Sequence, residues 1–172
     1  MVSWAASKST DTCERVTAFR LLRWLWALRW LGSTAGGDIP RDVNVAIAIS
    51  NVAIGTDRPT TWAARLDTWA AFESAYEDRP GDCPGLPVGS RECTRARGAR
   101  SCGPWQIECR RIPVGMPIEE QAGIALSIMQ ASEKQCPRWP MMIYATGACI
   151  ETTRPIAFRM SKIARALAVA VP

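Results

Sequence analysis

Residues 61–77, Thr-Trp-Ala-Ala-Arg-Leu-Asp-Thr-Trp-Ala-Ala-Phe-Glu-Ser-Ala-Tyr-Glu, decide how the chain reads. Trp62, Leu66, Trp69, Glu73 and Tyr76 follow one another at steps of 4, 3, 4 and 3. At about 100° per residue they share a helical sector of roughly 80°. The spacing predicts a helix over 61–77 with an apolar, aromatic stripe. Glu73 falls in the middle of that stripe. Asp67 and Asp78 point off it and read as part of a solvated face. A carboxylate on a buried stripe loses hydration, which disfavours its charged form, and a carboxyl still protonated near neutral pH can act as a general acid. The competing reading is an ordinary hydrogen-bonded glutamate where the stripe meets solvent.

Working outward, Arg79-Pro80-Gly81 ends the helix, because neither proline nor glycine continues it comfortably. Residues 79–115 hold many Gly, Pro and Cys and read as a long loop region that depends on covalent staples for order. Pro117 opens another helix, with Glu119 and Glu120 in its first turn and Lys134 near its end, an order that suits the helix dipole. A short helix near 138–147 and a last one near 155–170 complete the chain. Upstream, Val43 to Ile54 is strongly apolar and fits a buried helix or a strand; periodicity does not separate the two. Asp11 and Glu14 resemble a capping box, so a helix is expected over about 12–31, with a linker from Gly32 to Pro40. The fold class is mainly α.

Composition narrows the chemistry. The chain has 172 residues, 48% of them hydrophobic and 22% charged, with a net charge of +5. That suits one globular domain with a proper core. There is no histidine. Ser-His-Asp and Cys-His nucleophilic sites, histidine-ligated zinc and histidine proton shuttles are thereby excluded. Any general acid or base must be Asp, Glu, Lys, Tyr or Cys. No cysteine pair has C-x-x-C spacing, so neither a metal site nor a cofactor is expected.

The seven cysteines are Cys13, Cys83, Cys93, Cys102, Cys109, Cys136 and Cys149. The six between 83 and 149 read as disulfides formed in an oxidising compartment, with buried free thiols in a cytosolic protein as the alternative. The first-choice pair is Cys136–Cys149, which would clasp the short helix carrying Tyr144, while the other four pair among themselves. No stretch is long and apolar enough to span a bilayer. The Trp-rich segment 21–31, interrupted by Arg23 and Arg29, is open to three readings: a signal peptide with a charged centre, a helix packing on the domain or a partner, or a membrane-surface helix. On the last helix Arg159, Lys162 and Arg165 form a basic stripe, read either as a solvated face or as a surface for a polyanion.

Three short segments carry a family resemblance. They are Glu73-Ser74-Ala75-Tyr76, Ser101-Cys102-Gly103-Pro104-Trp105-Gln106-Ile107 and Ile143-Tyr144-Ala145-Thr146-Gly147. In that order they resemble the three motifs of the soluble lytic transglycosylases, relatives of goose-type lysozymes: Glu-Ser-x-aromatic, Ser-x-Gly-x-x-Gln-Ile and a Tyr-centred Ala-Tyr-Asn-x-Gly. The resemblance covers about 70–165. It implies a lysozyme-like helical domain over 61–172, here with a disulfide-stapled loop region, and leaves 1–60 as an N-terminal helical extension or targeting segment. It implies that Glu73 is the catalytic acid, and that Ser74, Ser101, Gly103, Gln106 and Tyr144 form the substrate-binding set. Gly103 would allow close approach, Gln106 would contact sugar without supporting the fold, and the Tyr144 hydroxyl would bond near Glu73. The interval from Glu73 to Gln106 is longer than usual in the family, and Ala145 stands where asparagine is common.

The resemblance further implies cleavage of the bond between N-acetylmuramic acid and N-acetylglucosamine in peptidoglycan by one carboxyl group, where glycosidases commonly use two. It carries an extracytoplasmic location with it: periplasmic, secreted or phage-associated. Hydrolysis would need a second carboxylate, and Asp82, Glu92 and Glu108 are the nearest in sequence. The positive charge suits an anionic cell wall. It also suits other polyanions, so a non-catalytic glycan-binding or polyanion-binding module is the rival. Nucleic acid is not expected as a partner, because the basic residues are scattered and no recognisable module is present. Membrane contact through the N-terminal segment is left open.

Overall fold

The computed structural model describes residues 39–87, 90–151 and 153–170. The helix expected over 12–31, the Trp-rich segment, most of the linker and Cys13 lie outside the described residues. Within them the chain is mainly helical. Helix α1 spans Ile39–Ile54, α2 Pro59–Ser74, α3 Ile118–Gln135, α4 Met142–Thr146 and α5 Arg154–Ala170.

The ambiguous run 43–54 is helical. Val45, Ala48, Ile49 and Ala53 are buried at helical spacing, and α1 packs on α3 and α2. Asn51 Nδ2 donates to Glu119 Oε2 at 2.9 Å across the α1–α3 contact. These α1 residues belong to the same core as Trp62, Leu66 and Trp69 of α2 and Ala122, Ala125 and Met129 of α3.

Helix α2 starts with Pro59 in its first turn, where the missing amide costs nothing. It stops at Ser74, before Arg79-Pro80-Gly81. Ala75 and Tyr76 both adopt left-handed φ, 53° and 65°, and their amides close on the carbonyls of Ala71 and Ala70. Between Trp62 and Ala70 every residue is buried. The expectation of a solvated Asp67 is therefore corrected. It is 3% exposed, and its Oδ1 accepts a hydrogen bond from the Tyr76 hydroxyl at 3.0 Å. The wheel located one stripe, but α2 runs through the core and is covered on all sides by α1, α3 and α5.

On the α3 side, Glu133 accepts from Arg65 Nη2 at 2.9 Å and from Arg58. Burial pushes the Glu133 carboxyl up, and the hydrogen bonds from the two guanidinium groups outweigh it, holding the group below its ordinary range.

The loop region contains a sheet that periodicity could not announce. Strands β1 Pro80–Gly81, β2 Ser101–Cys102 and β3 Ile107–Glu108 pair antiparallel in the order β1-β2-β3, with two residues each. Disulfides Cys83–Cys93 and Cys102–Cys109 staple it, and Cys136–Cys149 spans α4. All three pairings follow the expected scheme, and such bridges are typical of oxidising compartments. Helix α4 is shorter than expected, because Pro137 and Pro140 lie just before it and lack the amides a helix needs. Helix α5 lays Ile156 and Ile163 against α2. Among the described residues no helix is long and apolar enough to cross a membrane.

Candidate active site

Glu73 occupies the last turn of α2, next to the left-handed pair Ala75 and Tyr76. Non-glycine residues in this region cost about 1–3 kcal/mol each and cluster at functional sites. The Glu73 carboxylate is not alone on its stripe. Arg159 Nη1 of α5 donates to Glu73 Oε1, forming an ion pair between helices 86 residues apart in sequence. The Arg159 guanidinium also lies 5.4 Å from the ring centroids of both Trp69 and Phe72. The Glu73 side chain keeps 27% of its surface exposed and that of Arg159 keeps 18%. The pair sits at the boundary of core and solvent.

This corrects the solvated-face reading of the basic stripe for Arg159. Arg159 faces α2, while Arg165 is exposed. A signal was present in the sequence: Ile156, Met160 and Ile163 mark the apolar face of α5, and Arg159 lies within one helical step of it.

The second motif docks onto this helix end through main-chain acceptors. Ser74 is buried, and its Oγ lies 2.9 Å from the Pro104 carbonyl and 3.3 Å from that of Ala70. The Trp105 indole, also buried, donates to the Leu66 carbonyl at 2.9 Å. The third motif joins from the opposite side. Tyr144 donates its hydroxyl proton to the Trp105 carbonyl at 2.8 Å, and its ring meets Trp69 edge-on at 6.1 Å. Burial pushes the phenol well above its ordinary value. The negative charge of Glu73 pushes the same way, and Arg159 partly opposes both. Tyr144 is thus close enough to Glu73 to feel its charge, but its hydroxyl bonds the loop rather than the acid.

The remaining candidates form a second cluster at the sheet. Gln106, itself at φ 49°, donates from Nε2 to the carbonyls of Gly103 at 2.9 Å and Arg79 at 3.2 Å, and its Oε1 accepts from Ser101 Oγ at 2.8 Å. Ser101 Oγ also lies 3.0 Å from Asp82 Oδ2. Gly81 is needed there, since a Cβ on it would fall 1.8 Å from Gln106 Oε1. The expectation that Gln106 does not support the fold is therefore corrected: its side chain knits together Arg79, just before β1, the β2–β3 turn and Ser101. Gly103 does allow a close approach, but of Gln121. Its φ is 77°, and a Cβ would meet Gln121 Oε1 at 2.2 Å. The segment Pro104–Trp105 connects this cluster to the one at Glu73.

Asp82, Glu92 and Glu108 are exposed. Asp82 contacts Ser101, and Glu108 pairs with Arg110 at 2.6 Å. Among the described residues no group of three or more acidic or cysteine side chains is arranged to hold a metal ion. Compared with protein-family models, curated proteins and solved structures, the chain matches none of them.

Proposed function

We propose that the protein is a peptidoglycan lytic transglycosylase with a lysozyme-like helical domain, in which Glu73 serves as both acid and base. The observation that carries the reading is convergence. Three segments, at 73–76, 101–107 and 143–147, meet at the end of α2 through Ser74 to Pro104 and Tyr144 to Trp105. In the sequence they are connected only by order.

In this reading Glu73 donates its proton to the glycosidic oxygen between N-acetylmuramic acid and N-acetylglucosamine as the C1–O bond breaks. The resulting Glu73 carboxylate takes the proton from the muramyl C6 hydroxyl, whose oxygen then bonds C1. The product is a 1,6-anhydro sugar, no water is consumed and Glu73 ends protonated again. Hydrolysis would instead need a second carboxylate to hold water against the sugar; of the candidates, Asp82 contacts Ser101 and Glu108 pairs with Arg110. Three disulfides and a charge of +5 suit work at an anionic wall outside the cytoplasm, in a periplasmic, secreted or phage-associated protein.

One observation favours a second reading, a glycan-binding module without catalysis: the ion pair of Glu73 with Arg159 commits the acid to a partner. Clearing of a cell-wall suspension separates the two. A catalyst clears it and loses that ability on Glu73→Gln, whereas a binding module clears it in neither form.

A further inference from the structure

Arg159 contacts Glu73 through a single nitrogen, Nη1, to a single oxygen, Oε1. A guanidinium carries five N–H groups in a planar fork suited to gripping a carboxylate with two parallel bonds. Among the described residues Glu73 is the only hydrogen-bonding acceptor that Arg159 has. The fork is thus partly used, at a position 18% exposed.

The surface around it has the character of an acidic-sugar site. Phe72 and Phe158 are 42% and 52% exposed and meet edge to face at 5.7 Å, next to the pair. Lys162 stands 5.3 Å over the Phe158 ring. Among the described residues Lys162 is in no ion pair. Exposed aromatic rings offer apolar faces to the C–H face of a sugar, and two cations beside them attract an anion.

We infer that the seam of α2 and α5, with Phe72, Phe158, Arg159 and Lys162, is a subsite for a carboxylate-bearing sugar, whose carboxylate takes Arg159 in place of Glu73. The inference rests on the transglycosylase reading and specifies its substrate. Because Arg159 touches the acid itself, the carboxylate must belong to the sugar being cleaved. The group that qualifies is the free lactyl carboxylate of a muramyl residue without its stem peptide. Where the peptide is attached, that carboxylate is an amide and cannot form the ion pair. Exchange is favoured because the incoming carboxylate can use both arms of the fork. Its consequence is positional: Glu73, released from its cation, is free to turn toward the glycosidic oxygen. Arg159 is in this sense a specificity and positioning residue.

The test compares turnover on three glycans: peptide-free strands with free lactyl carboxylates, the same strands with those carboxylates methyl-esterified, and peptide-bearing strands. The wild type is expected to cleave the free-acid strands at least about tenfold faster than the esters, the scale of a charged hydrogen bond, with the peptide-bearing strands resembling the esters. Arg159→Gln should bring the free-acid and ester rates together, and Arg159→Lys should restore part of the difference. Should Arg159→Gln fail to fold, the free-acid to ester ratio of the wild type decides alone. Equal cleavage of acid and ester by a wild type that depends on Glu73 overturns the subsite and leaves the transglycosylase reading standing. No cleavage of any strand by the wild type overturns both.

Discussion

The hydroxyl oxygen of Ser74 and the carbonyl oxygen of Pro104 lie 2.9 Å apart, and both residues are buried. One short contact thus ties the turn that presents Glu73 to the loop of the second motif. In the transglycosylase reading, Ser74, which is buried, therefore positions Glu73 rather than touching sugar. Ser74→Ala leaves the Pro104 carbonyl without that donor inside the protein, which costs about 1–3 kcal/mol. Urea unfolding should show that loss, and wall clearing should fall at temperatures where the variant is still folded. Unchanged stability would detach the two segments.

Gln106 makes a parallel case. Its amide serves three partners, so Gln106→Ala removes support from Arg79 at the entry to β1, from Ser101 of β2 and from the β2–β3 turn together. A stability loss of about 1–3 kcal/mol is expected in thermal or urea melts. A melting temperature equal to that of the wild type would return Gln106 to the role of a substrate contact with no part in the fold.

How far these relationships were legible depended on whether they were local. The part of the stripe from Trp62 to Glu73, the start of α3 at Pro117 and the Cys136–Cys149 clasp rest on nearby residues and are present, whereas Tyr76, expected on the same helix, lies past its end at Ser74 with φ 65°. A wheel reports one face, so it puts Asp67 in solvent, whereas α2 is buried on every face between Trp62 and Ala70. Two-residue strands are too short for an alternation to register. The apolar face of α5 at Ile156, Met160 and Ile163 places Arg159 beside the core, but that its partner is Glu73 depends on how α5 packs on α2.

The disulfide framework has a direct chemical test. Six of the seven cysteines are bridged, so the unfolded, unreduced chain should titrate one thiol, with Cys13 as its source. Removing Cys136–Cys149, which closes 13 residues, should cost about 3 kcal/mol in the chain-entropy account. Seven titratable thiols would contradict the framework.

Acid should weaken the α2–α3 contact. The Glu133 carboxyl is held below its unfolded value, so its contribution is present above that value and is lost as pH falls through the lower, folded one. Stability measured from neutral pH down through the carboxylate range should therefore decline more steeply in the wild type than in Glu133→Gln. At neutral pH the variant should already be weaker by about 3 kcal/mol, because Arg65 stays buried without its carboxylate. Parallel pH profiles would remove Glu133 from the acid response.

Peptidoglycan digestion followed by mass spectrometry bears most directly on Glu73. The wild type should release muramyl ends one water lighter than hydrolysed ends, and Glu73→Gln, which keeps the shape but has no proton to give, should be slower by roughly 10²–10⁴-fold. Anhydro products formed at the wild-type rate by Glu73→Gln, or no glycan cleavage by the wild type, would contradict the assignment of Glu73 as the catalytic acid.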